Sequence, residues 1–281
     1  MLNPDCKLGI IAGGGAIPQM LIEKCLASRV PFAVLAIEGN ADKDFFTSPQ
    51  FDCRWIRLGQ AGSGFKYFSS LHVTDVVLIG TIRRPSFFDL VPDMRTAAFF
   101  AKVGAKALGD DGILRAVVSE IEKDGMRVKG IHEIMPNLLI PSGCLTKRKP
   151  SKSDVEDIRR GLEVALTLGS LDVGQSVVVQ QGLVLGVEGI EGTDALIRRC
   201  GEYRRKGEGG ILVKLRKPQQ DMRIDLPTIG VDTIENAHNS GLRGLIVHAG
   251  NGLLVDPQKT IALADKYGMF IQGVTPDEYL N

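Results

Sequence analysis

Short apolar runs and helical-period segments alternate along the first half of the chain. Leu8–Ala12, Phe32–Ile37, Arg54–Leu58 and Asp75–Gly80 read as buried strands. A helix entered at Pro18 runs to about Ser28, and another lies around Gly64–Leu71. Strand, helix and strand in succession predict a parallel sheet with its ligand crevice at the carboxyl ends of the strands. Asp111–Lys123 reads as a further helix. Arg127–Ile131 reads as a strand with His132 and Glu133 at its end, and His132, lacking a spaced partner, is expected to be a satisfied structural histidine.

One shift in pattern divides the chain. Leu145 to Ser153, LTKRKPSKS, is basic and without apolar period, so it reads as an exposed linker. The expected division is a Rossmann-like domain over 1–140, a linker over 141–152 and a catalytic α/β domain over 153–281. Ser153 with Glu156 makes a capping box for a helix to about Leu171, with Ile158, Leu162 and Ala165 on its apolar side. Ser176–Val187 is a hairpin or bent strand broken at Gly182, and Thr193 can cap a helix through Arg199. Asp194 in that helix's first turn suits the macrodipole. Ile211–Leu215 is a strand with Lys214 among apolar neighbours. A helix from about Asp232, strands Leu245–His248 and Leu253–Val255, a helix Lys259–Tyr267 and a strand Met269–Val274 complete a second α/β unit.

Composition narrows the function classes. The 281 residues carry a net charge of +1, so no strong field invites nucleic acid. Five scattered cysteines without a CxxC, and four histidines without HxxxH spacing, point to a reducing compartment and no structural zinc. No apolar run approaches the roughly 18 residues of a membrane span, and the N-terminus does not read as a signal peptide, so cytoplasm is the expectation. Phe87, Phe88, Leu90, Val91, Met94, Phe99, Phe100 and Val103 make one oily stretch, either a core helix or a wall for a lipid chain or membrane surface.

Two regions carry candidate chemistry. Gly13, Gly14 and Gly15 sit between a strand and a helix, where backbone N–H groups can cradle an anion, although they do not make GxGxxG. Glu38 ends the second strand where dinucleotide folds contact a ribose, and the loop Gly80, Thr81, Arg83, Arg84 follows the fourth. The second region holds Glu188, Glu191, Asp194, Asp221 and Asp225, interleaved with Lys214, Arg216, Lys217 and Arg223. On an extended chain Asp221, Arg223 and Asp225 would share one face. Carboxylates for magnesium with cations for phosphate suit phosphoric anhydride hydrolysis, whereas a solvated charged face is the plainer account. A nicotinamide-dependent oxidoreductase using the glycine loop and Glu38, and a non-catalytic nucleotide-binding module, remain as other classes.

GIIAGGGAIP, VEGIEGTDALI and above all ILVKLRKPQQDMRIDLPTIG resemble the UDP-2,3-diacylglucosamine pyrophosphatases of lipid A biosynthesis, the two-domain type unrelated to calcineurin-like metallophosphatases. The resemblance runs over nearly the whole chain. It implies two α/β domains, an N-terminal Rossmann-like parallel sheet and a C-terminal mixed one, with the active site between them. It also implies hydrolysis to UMP and 2,3-diacylglucosamine 1-phosphate with magnesium, for which manganese can substitute. On the matching positions Asp225 is the expected essential acid. Asp221, Glu188 and Asp194 are supporting metal candidates, with Lys214 and Arg223 on the diphosphate. Gly13, Gly14, Gly15, Gly80, Thr81, Arg83, Glu191, Gly192 and Thr193 are the expected substrate contacts. The partner is a glycolipid nucleotide, with peripheral contact to the inner membrane and a homodimer kept as options.

Overall fold

The apolar runs of the first half pair with one another as the strands of one sheet. In a computed structural model, which describes residues 6–47, 50–83, 92–103 and 110–280, the chain divides into two units, Met1–Pro136 and Asn137–Asn281. The first unit runs β1 (Lys7–Ala12), α1 (Ala16–Ala27), β2 (Phe32–Ile37), α2 (Lys43–Phe46), β3 (Cys53–Ile56), α3 (Ala61–Ser70), β4 (Val73–Ile79), α4 (Met94–Val103), α5 (Asp110–Lys123), β5 (Arg127–Val128) and α6 (Ile131–Ile134). Its five strands are parallel in the order β3-β2-β1-β4-β5. All but the first residue of β2 is buried, as expected for a strand covered on both faces. The order reverses between β1 and β4, so the loops after those two strands flank the switch point.

Two expectations change here. The strand begun at Arg127 ends at Val128, because the Glu133 carboxylate accepts the Gly130 N–H at 2.7 Å and starts the turn of α6. His132 lies in that turn with a buried Nδ1 that has no hydrogen-bond partner among the described residues, so it is not the satisfied histidine expected. Arg84, Phe87, Phe88, Leu90 and Val91 lie outside the described residues. Of the oily stretch, Met94 opens α4 with 91% of its surface exposed.

The second unit runs β6 (Gly143–Cys144), α7 (Val155–Ser170), β7 (Ser176–Gln180), β8 (Leu183–Val187), α8 (Thr193–Glu202), β9 (Ile211–Lys214), β10 (Thr228–Ile229), α9 (Val231–Asn239), β11 (Gly244–His248), β12 (Leu253–Leu254), α10 (Pro257–Lys266), β13 (Phe270–Val274) and α11 (Asp277–Leu280). Its main sheet has the mixed order β6-β13-β11-β9-β7-β8, and β10 pairs separately with β12. Alternation along β9 sorts its side chains into two cores. Ile211 and Val213 pack with Ile158, Leu162 and Ala165 of α7, while Leu212 packs with Leu196 and Ile197 of α8 and Ile234 of α9. Helices therefore cover both faces of the sheet. The bend at Gly182 is a true hairpin: Gln181 and Gly182 both have positive φ, 55° and 74°, and both N–H groups donate to the buried Asp157 carboxylate.

The basic stretch is bound to this unit. Leu145 N–H donates to Ile271 O at 2.9 Å, Lys147 N–H to Asp265 Oδ1 at 2.7 Å, and the Arg148 guanidinium to Gly268 O at 2.8 Å. The capping box that follows is Ser151 with Asp154, two residues earlier than expected, with the Ser151 N–H and hydroxyl both on Asp154 Oδ2. Asp154 is drawn into that role because its other oxygen, like Asp157, meets the buried Arg243 guanidinium. Burial pushes the Asp154 pKa up, but the hydrogen bonds from Ser151 and Arg243 outweigh it and hold the group below its ordinary range.

Candidate active site

Strand direction decides which residues meet. β7 runs antiparallel to both β8 and β9, so β8 and β9 point the same way, as does β11, which is parallel to β9. One edge of the sheet thus gathers the start of β7 (Ser176), the residue after β8 (Glu188) and the ends of β9 (Lys214) and β11 (His248). The register fixes their order: Glu188 N–H donates to Ser176 O at 2.8 Å, Ser176 stands opposite Lys214, and Lys214 opposite Val247.

Lys214 is the centre of this edge. It lies two residues after Leu212, on the same side of the strand, and is only 7% exposed. Its ammonium donates to Thr193 Oγ1 and to Thr228 O, both at 2.9 Å. Thr193 in turn donates to Glu188 Oε1 at 3.0 Å and lies 3.2 Å from Ser176 Oγ. Thr193 therefore does not cap α8: Gly192, at φ 78°, occupies the cap position, and the hydroxyl is committed to the cluster. Burial pushes the Lys214 pKa down, while the negative charges of Glu188, Asp194 and Asp225 push back. Glu188 is 8% exposed, and its Oε2 is buried without a hydrogen-bond partner among the described residues.

The segment carrying Asp221, Arg223 and Asp225 is a turn, not a strand. Asp221 O accepts the N–H groups of Ile224 and Asp225, both at 3.1 Å, and its carboxylate accepts the Arg223 N–H at 2.9 Å. An aspartate that captures the amide two residues ahead closes a turn, which competes with extension. The Arg223 guanidinium closes back on Asp221 at 2.7 Å, so the alternating acids and cation pair locally instead of lining a strand face. Asp225 Oδ2 accepts from the buried Gln220 amide. Glu191 turns to α8, where Arg199 meets it at 2.6 Å and holds its pKa down. Sequence reasoning missed Ser176, Gln220 and His248. All three lack a charge pattern, and only strand order brings Ser176 and His248 to the edge. His248 Nδ1 is buried without a partner among the described residues, and burial pushes its pKa down, as does the nearby Arg216 charge.

The glycine loop of the first unit is spent differently. Gly13 N–H donates to Ile79 O at 2.8 Å, and Gly14 exchanges two backbone hydrogen bonds with Thr81 at 2.8 and 2.9 Å. A Cβ on Gly13 would lie 2.6 Å from Thr81 O, and one on Gly80, which sits at φ 92°, 2.6 Å from Gly14 O. These glycines let the ends of β1 and β4 touch, and the Gly13 and Gly14 amides are not available to an anion. Only Gly15, at φ 88°, faces open space. The backbone N–H of Arg83 donates to Asn40 Oδ1 at 2.7 Å, while Glu38 pairs with Arg57 at 2.9 Å on the exposed surface.

Among the described residues, no three His, Cys, Asp or Glu side chains are grouped to hold a metal ion. Magnesium does not need such a cage, since one or two carboxylates, several waters and substrate oxygens complete its shell. A buried, orphaned carboxylate oxygen at Glu188 fits that demand.

A buried lysine beside carboxylates at the carboxyl ends of the strands of an α/β unit is a site suited to an anionic group. The chain belongs to the LpxI family: models of the LpxI N-terminal and C-terminal domains match residues 7–138 and 141–272. UDP-2,3-diacylglucosamine pyrophosphatase LpxI of Caulobacter vibrioides is 41% identical over 279 residues, covering 97% of this chain and 99% of that protein.

Proposed function

We propose that this chain is a hydrolase that splits the diphosphate of UDP-2,3-diacylglucosamine into UMP and 2,3-diacylglucosamine 1-phosphate, a step of lipid A biosynthesis. The observation that carries the reading is the 41% identity over nearly the full length of a protein so named. In the reaction water adds to phosphorus as one bridging P–O bond breaks, and two phosphate monoesters leave. Lys214 suits the negative charge of that centre. An ammonium has three N–H groups, and two of them are held by Thr193 and Thr228. The remaining one can meet a phosphoryl oxygen in a site where desolvation strengthens the contact.

Asp225 is assigned as the essential acid, orienting the attacking water or helping to hold metal. Magnesium, with manganese as a substitute, supplies polarisation of the phosphoryl oxygens and charge neutralisation when bound. Glu188 and Asp225 are the carboxylates assigned to hold it, with Asp194 and Asp221 as supporting candidates. Arg223 meets the diphosphate. Within the second unit, Glu191, Gly192 and Thr193 are assigned to the substrate. Two acyl chains keep the substrate at a bilayer, so the protein works against the cytoplasmic face of the inner membrane. Among the described residues no helix is long and apolar enough to cross one.

The test is UMP release from UDP-2,3-diacylglucosamine by the purified full chain with magnesium. No UMP under saturating substrate removes the reading. Exhaustive chelation is expected to abolish turnover, and magnesium or manganese to restore it, with the circular dichroism spectrum unchanged throughout. Undiminished activity after chelation would rule out the metal.

A further inference from the structure

Gln220 is 3% exposed. Its Oε1 accepts the Lys217 N–H at 3.1 Å, which fixes the other end of the amide as the donor. That Nε2 donates to Asp225 Oδ2 and, at 3.4 Å, to Gln175 Oε1. The Gln220 backbone carbonyl accepts from the Arg216 guanidinium at 2.9 Å. Gln175 is itself tied to the end of β9, its carbonyl accepting the Leu215 N–H at 2.9 Å. The amide is thus braced from the sheet edge and from its own loop. A position that only had to fill space would hold an apolar side chain, because a buried amide gains nothing unless its groups are met.

We propose that Gln220 is a positioning residue for the hydrolysis: it grips one oxygen of Asp225 and sets the plane of that carboxylate toward the reacting phosphorus. This rests on the role given to Asp225 above. The turn from Asp221 to Asp225 orients the backbone of Asp225, and the Gln220 amide is one of the contacts that set its carboxylate. A donor fixed at Nε2 narrows the orientations open to that carboxylate, and small misplacements of a reacting group cost rate far more than they cost binding.

The experiment is a four-way comparison of the full chain, Gln220→Glu, Asp225→Ala and the double variant, with kcat and KM measured by UMP release at saturating magnesium. Glutamate keeps the volume and the acceptor for Lys217 N–H, loses the donor and faces Asp225 with like charge. The single variant is expected to lose about 10- to 100-fold in kcat with KM within about twofold. In the Asp225→Ala background the same change is expected to cost less than about twofold, since it acts only through Asp225. Wild-type kcat in Gln220→Glu overturns the clamp, and so does an equal fold loss in both backgrounds. Should Gln220→Glu fail to fold, Gln220→Ala enters the same comparison with the same expectations. An Asp225→Ala variant as active as wild type overturns the clamp together with the reading it rests on.

Discussion

Both units gather polar residues at the carboxyl ends of their strands, yet they spend them in opposite ways. In the first unit the loops after β1 and β4 satisfy each other through backbone hydrogen bonds, and the charged groups nearby, Glu38 and Arg57, pair at 44% and 66% side-chain exposure. In the second unit Lys214, Glu188 and Gln220 are all more than nine-tenths buried. Solvent screens the first set and leaves each contact weak. The second set is desolvated, so every charge there acts at close range on its neighbours and on whatever enters. The same place in two sheets therefore makes a solvated surface in one unit and a buried polar cluster, the proposed reacting centre, in the other.

Asp225→Ala tests that contrast most severely. It is expected to lose about 10³-fold or more in kcat with the fold and substrate affinity retained, an amount typical of a group that acts mainly in the transition state. Asp225→Asn should be nearly as damaging, because the amide supplies neither charge nor base. Retention of more than about a tenth of wild-type turnover, above what losing a general acid–base group allows, would place the chemistry elsewhere, with Glu188 and Asp194 next in line.

Lys214→Met comes second, at about 10²-fold in kcat, since it removes a buried donor but leaves the carboxylates. A loss below threefold in steady-state UMP release would reduce Lys214 to a structural tie between β9, Thr193 and Thr228. Glu38→Ala is the smallest. An exposed pair contributes less than about 1 kcal/mol, so the melting temperature and UMP release should barely move. A tenfold rise in KM would instead show that the first unit reads substrate through charge, and the contrast would have to be redrawn.

What the sequence disclosed follows from how local each signal is. Phe32–Ile37 was readable to the residue because a strand covered on both faces is one unbroken apolar run. The break at Gly182 was readable, and the positive φ of Gln181 and Gly182 makes it a hairpin where a bent strand was the other reading. The capping box expected at Ser153 forms at Ser151 instead, because Asp154 is held there by a salt bridge to Arg243, far along the chain. Spacing by two at Asp221, Arg223 and Asp225 suggested extension, and side-chain capture of the Arg223 amide produced a turn. Thr193 illustrates the limit on the site. A threonine before a helix reads as a cap, and only β9 arriving beside it turns its hydroxyl into a partner for Lys214. Gln220 gave no signal, because a neutral amide stands out only when its partners are known.

The outermost pairing of the second sheet has a consequence for synthesis. β6 is the first strand of its unit, and it pairs with β13, the last, Cys144 opposite Gln272. Leu145 and Thr146 are likewise fastened to Ile271. The strand pairings of the first unit all lie between Lys7 and Val128, so its sheet can assemble while the rest is still being translated. The second cannot seat its own opening strand until β13 has left the ribosome. That long wait for a partner makes it the slower half to mature. In the interval β6 is an unmatched strand, and the basic run at 147–149 that follows it is the kind of charge that discourages edge-to-edge pairing.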